Sequence, residues 1–131
     1  MNTPLTYDFA RAICQTVSKV VILGPPGSGK TTLANTTTRR VLHTDNFKSE
    51  PWDVQRKRVA EWAARHDEWL IEGVTAARCL RHGELGAPAV VFLPQSYRRL
   101  TTRSRALGES VVKWLTESGL PYYTVLQPPR K

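Results

Sequence analysis

Residues 24–31 constrain this chain more than any other segment. They read Gly24-Pro25-Pro26-Gly27-Ser28-Gly29-Lys30-Thr31 and satisfy G-x-x-x-x-G-K-[ST] at every specified position. An apolar, β-branched run, Lys19–Leu23, comes immediately before, and a segment of helical character, 31–39, follows. A glycine-rich turn between a buried strand and a helix gathers backbone N–H groups into a concave nest, and the helix start adds the positive end of its dipole. Such a nest suits a polyphosphate. Lys30 is expected to reach the β- and γ-phosphates of ATP or GTP, and the Thr31 hydroxyl to ligate Mg²⁺. The expected phosphate-binding set is Gly24, Pro25, Pro26, Gly27, Ser28, Gly29, Lys30, Thr31 and Thr32.

Further apolar runs imply the fold around this turn. Residues 69–71 (Trp-Leu-Ile) and 89–93 (Ala-Val-Val-Phe-Leu) are continuous rather than alternating, as strands of a parallel sheet covered on both faces require. Val41–His43 and 123–126 are weaker strand candidates. Helical segments are expected between them. Residues 51–66 carry Trp52, Val59, Trp62 and Ala63 at helical spacing, with Pro51 near the start and Asp53–Lys57 and Glu61–Arg65 four apart. Residues 98–105 and 110–118 read as helical, separated or kinked at Gly108. Residues 5–17 read as an extra helix, with Phe9, Ile13 and Val17 on one side, within an N-terminal helical extension spanning 1–18. Strands alternating with helices predict an α/β fold with an open parallel sheet flanked by helices.

A chain of 131 residues fits one domain, here 1–131. No apolar run reaches the roughly 20 residues that span a bilayer, and the N-terminus lacks a basic start followed by an apolar stretch, so no membrane association and a cytoplasmic location are expected. Cys14 and Cys79 show no metal-ligand spacing and read as buried structural thiols. The net charge of +8 calls for an anionic partner, and its scattered basic residues suit a polyphosphate cleft about as well as a nucleic-acid track.

In an open α/β sheet, ligands bind beyond the carboxyl ends of the strands. Two carboxylates lie there. Asp45, after the second apolar run, is placed to accept the proton of an attacking hydroxyl or to help organise Mg²⁺. Glu72, after the third, matches a water-mediated Mg²⁺ ligand. Past the fourth run, Arg99 and Arg103 are four apart and predicted to share a helical face, within a short lid at 98–108 that also holds Arg98 and Arg105. Arg78 and Arg81 are candidates for holding an anionic acceptor such as a monophosphate. His43, His66 and His82 form no ligand set, and Trp52, Trp62, Trp69 and Trp114 read as core.

With these residues the chain resembles the small P-loop kinases related to adenylate kinase, shikimate kinase, and the uridine and nicotinamide riboside kinases. The resemblance spans roughly residues 19–126, with the phosphate loop its specific part. It implies a P-loop NTPase fold with five parallel strands in the order 2-3-1-4-5. The Asp45-Asn46-Phe47-Lys48 segment is similar to the D-x-F/Y segment of nucleoside kinases, where the aspartate contacts the acceptor hydroxyl. Leu70-Ile71-Glu72-Gly73 resembles their strand ending in a carboxylate and glycine, and Arg99 and Arg103 fall where the family carries lid arginines. An adenine-contacting loop would fall to Gln127, Pro128 and Pro129. After Gly73 the D-G-F-P-R run of adenylate kinase is missing, so no monophosphate-binding arginine follows by matching.

The reading is an Mg²⁺-dependent phosphotransferase moving the γ-phosphoryl group of ATP to a small nucleoside- or nucleotide-like acceptor. Lys30, Asp45, Arg99 and Arg103 are its expected catalytic residues, and Thr31, Glu72 and Asp45 its metal-holding ones. One alternative is a polynucleotide 5′-hydroxyl kinase acting on DNA or RNA, which the resemblance and the basic charge both allow. A second is a P-loop ATPase or regulatory switch with no phosphorylated acceptor.

Overall fold

A strand flanked by parallel neighbours on both sides must bury both of its faces, and this chain's apolar runs supply side chains for both. The computed structural model describes residues 2–25, 27–96 and 99–126. It holds one sheet of six parallel strands: β1 (Asn2–Thr6), β2 (Lys19–Leu23), β3 (Val41–His43), β4 (Trp69–Glu72), β5 (Ala89–Phe92) and β6 (Tyr122–Leu126). Between them run helices α1 (Tyr7–Thr16), α2 (Lys30–Asn35), α3 (Trp52–Ala64), α4 (Val74–Arg81) and α5 (Thr102–Ser118), with a 3₁₀ turn at Thr44–Phe47.

The strand order is β1-β6-β5-β2-β4-β3. It differs from the expected five-strand order, and the difference lies in Asn2–Thr6, which forms an edge strand in register with Tyr122–Leu126 instead of opening a helix. Pro4 lacks an N–H and is tolerated at a sheet edge, while the neighbouring threonines favour extended backbone. The helix then begins at Tyr7, where the Thr6 hydroxyl accepts the Phe9 N–H at 3.2 Å as its N-cap.

Two other boundaries depart from the sequence reading. α2 stops after six residues, because the Thr36 and Thr37 hydroxyls turn back onto the Leu33 and Ala34 carbonyls at 2.6 and 2.9 Å. Residues 102–118 form one continuous helix through Gly108 rather than two segments. A glycine inside a helix costs only about 1 kcal/mol, and at Gly108 an added Cβ would sit 3.7 Å from Pro25 Cβ. Along α3, Lys57 pairs with Glu61 at 3.9 Å, and Arg65 donates to the Glu61 carbonyl instead of its carboxylate.

The pleat sorts the core into two layers. Val21, Leu23, Trp69, Ile71, Val90 and Phe92 pack with α3, α4 and α5 on one face, whereas Val20, Ile22, Leu70, Val91 and Leu93 pack with α1 and α2 on the other. Successive side chains alternate between faces. Position parity along β4 therefore decides which helix Glu72 meets.

Candidate functional site

β2 is central, flanked by β4 and β5, and its carboxyl end delivers the chain into the glycine-rich turn. Space is tight there: a Cβ on Gly24 would come 2.6 Å from the Leu93 carbonyl oxygen. Gly27 and Gly29 take φ of 78° and 93°, the left-handed region that glycine enters most cheaply. The buried Ser28 donates its N–H to the Pro25 carbonyl at 3.1 Å, closing the turn. Lys30 opens α2 and folds back across the mouth, its Nζ donating to the Gly24 and Pro25 carbonyls at 2.9 and 3.1 Å. Pro26 lies outside the described residues.

Glu72 shares the parity of Leu70 and so faces the α2 layer. The Thr31 hydroxyl donates to Glu72 Oε2 at 3.0 Å, across 41 residues of sequence. On the neighbouring strand His43 is in register with Glu72, and its Nδ1 stands 2.7 Å from the same oxygen. A carboxylate only accepts, so Nδ1 carries the proton in this contact. Glu72 is 2% exposed. A carboxylate this deep is retained because charge-assisted partners satisfy it. Sequence reasoning assigned His43 no role. Aligning the carboxyl ends of adjacent strands was the signal that would have found it.

The turn after β4 allows no side chain. Gly73 has φ of 122°, and an added Cβ would collide with Thr44 Oγ1, itself buried at the end of β3. Gly73→Ala is therefore expected to destabilise the protein by about 3 kcal/mol through strain and collision together. Gly83→Ala meets nothing within 4 Å and should cost only the left-handed penalty of about 1–2 kcal/mol. Urea unfolding of the two variants checks this. Equal losses would mean the Thr44 contact is unimportant.

The other candidates stand apart from this cluster. Asp45 is exposed in the 3₁₀ turn, and among the described residues no three His, Cys, Asp or Glu side chains gather, so Asp45 does not join His43 and Glu72. Arg99 precedes α5 and Arg103 lies in its first turn, both exposed, so the two do not share a helical face as expected. Arg98 and residues 127–129 fall outside the described residues. Arg78 and Arg81 occupy the last turn of α4, and the Arg78 guanidinium stacks 4.0 Å from the centre of the Trp52 ring. Trp52 is thus exposed rather than core, whereas Trp69 is fully buried and Trp62 and Trp114 are partly so. His66 Nδ1 contacts the Trp62 carbonyl at 2.7 Å.

Neither cysteine is poised as a nucleophile. Burial pushes the Cys14 thiol up to about 12 against an opposing pull from Arg39. Burial and then Glu84 push Cys79 up to about 12. Both stay protonated at neutral pH.

The chain matches no protein-family model and no curated protein. Among the described residues no helix is long and apolar enough to cross a membrane.

Proposed function

We propose that this chain is a P-loop kinase, a phosphotransferase that moves the γ-phosphoryl group of ATP to a hydroxyl of a small nucleoside- or nucleotide-like acceptor. One observation carries the reading: the first hydroxyl of α2, next to Lys30, donates to a buried strand-end carboxylate at 3.0 Å. A hydroxyl and a carboxylate sharing a contact are hard oxygen donors of the kind Mg²⁺ takes. Thr31 would hold the metal directly, with Glu72 behind it accepting from its water ligands. Held there, Mg²⁺ would supply Lewis-acid charge stabilisation to the phosphates of the nucleotide.

The remaining roles belong to the chain's own residues. Lys30 exchanges its two carbonyl acceptors for β- and γ-phosphate oxygens. His43 keeps Glu72 oriented when the Thr31 hydroxyl turns to the metal. Asp45 accepts the proton of the acceptor hydroxyl as that oxygen bonds to the γ-phosphorus, and ADP leaves with the bridging oxygen. Arg99 and Arg103, both exposed, would clamp the charge on the transferring group. A cytoplasmic location suits this chemistry.

The net charge of +8 and the exposed Arg40, Arg65, Arg103 and Arg105 favour one second reading, a 5′-hydroxyl kinase of nucleic acids. Incubation with γ-labelled ATP and pools of nucleosides, nucleotides and oligonucleotides separates the two by which pool takes up label. ATP hydrolysis with label in no pool would favour the ATPase reading. In whichever pool is labelled, Asp45→Asn is expected to slow transfer about a hundredfold with ATP affinity unchanged. Normal transfer by this variant would remove Asp45 from the mechanism.

A further inference from the structure

A cavity of about 310 Å³ lies between α4 and α5. Its walls are Val74 and Ala77 from α4 and Val111 and Trp114 from α5, and its polar rim is Arg78, Arg81, His82 and Ser110, with no carboxylate among them. Three of the wall residues, Val74, Ala77 and Val111, also line a narrow gap that continues to Gly24, Pro25 and Gly108. Val74, Ala77 and Val111 thus stand at the end of the cavity nearest the glycine-rich turn. Arg81 stands seven residues beyond Val74 on α4, about 10 Å along the helix axis.

The two guanidinium groups lie together on the cavity rim. Among the described residues, Arg56 and Arg58 are paired with Glu84 and Glu50 at 2.6 and 2.8 Å, and Arg11 lies near Asp8. No described carboxylate pairs with Arg78 or Arg81. The Arg78 guanidinium stacks on Trp52 at the cavity rim, and a guanidinium offers a phosphate a planar fork of N–H donors. An apolar slot with one aromatic wall and a small set of convergent cationic groups is the usual make-up of a small-molecule site.

We infer that this cavity binds the acceptor, a ring compound of nucleoside size with a phosphate group at one end and a free hydroxyl at the other. The ring lies between α4 and α5, the phosphate sits on Arg78 and Arg81, and the hydroxyl lies at the Val74 end, the side nearest Gly24 and Pro25. This rests on the kinase reading for the direction of the hydroxyl, but the binding itself is testable without turnover.

Uridine 3′-monophosphate, whose 5′-hydroxyl lies opposite its phosphate, is the probe, with uridine and inorganic phosphate as comparisons. Calorimetry should show the nucleotide binding at least about tenfold tighter than either. The indole N–H signal of Trp114, assigned through Trp114→Phe, should shift on titration, in the wild type and in Lys30→Ala alike. Arg78→Gln and Arg81→Gln should each erase the advantage over uridine, while affinity for Mg·AMPPNP stays within about twofold. Equal affinity for uridine or for inorganic phosphate, an unmoved Trp114 signal, or an advantage that survives both arginine variants would overturn the proposal. Absence of Mg·AMPPNP binding would instead sink the kinase reading and leave the cavity result standing on its own.

Discussion

Alanine at Lys30 is expected to lower phosphoryl transfer by about a thousandfold while leaving the fold in place. The ammonium sits at the mouth of the glycine-rich turn, donating to the Gly24 and Pro25 carbonyls. Those carbonyls lie at a partly open site, so water can replace the lost donor and the cost in stability should be about 1 kcal/mol. The catalytic cost is larger, because negative charge on the transferring group then develops without a positioned cation beside it. Lys30→Arg should recover little, since a planar fork does not fill the place of a compact ammonium on a flexible stem. Steady-state kinetics on the labelled acceptor, read beside thermal unfolding, checks both halves. Activity above a tenth of wild type would remove Lys30 from the mechanism.

Glu72→Gln should cost 10²- to 10³-fold in kcat/KM and raise the Mg²⁺ concentration for half-saturation at least about tenfold. The amide has nearly the same shape and still offers an oxygen to the Thr31 hydroxyl or to His43, so the turn and sheet are retained. What disappears is a full negative charge in a position 2% exposed to solvent. Because the substitution weakens the buried contact with His43, thermal stability should fall modestly, with the fold retained. The discriminating measurement is nucleotide affinity with and without Mg²⁺. Affinity for ATP in EDTA should be unchanged, with the deficit confined to the magnesium-loaded state. An unchanged magnesium requirement would show that Glu72 only supports the sheet end.

Much of the layer structure was legible before any coordinates. The runs around Val21, Leu70 and Val91 are apolar on successive residues, which a strand buried on both faces requires. The helical spacing of Phe9 and Ile13 does mark α1, but its start was read too early, because Pro4 and the nearby Thr3 and Thr6 hold residues 2–6 extended as an edge strand. The exposed Phe9, 62% accessible, shows that this apolar spacing did not mark a core face. Gln55 was overlooked for the opposite reason. A polar residue is buried in α3 because Thr75 donates to its Oε1 at 2.7 Å and its Nε2 donates to the Glu50 carbonyl at 2.7 Å, partners that no local pattern announces.

The sequence by itself determined the glycine-rich turn, because its glycines, Lys30 and Thr31 are contiguous and their conformational demands are local. It also determined which runs must be covered on both faces. Only the tertiary structure decided that Glu72 meets Thr31 and His43, that Asn2–Thr6 closes the sheet edge, and that α4 and α5 enclose a cavity with Arg78 and Arg81 on its rim. Those meetings depend on strand order, register and the two-residue pleat acting together. A partner 41 residues away leaves no trace in the pattern around either residue.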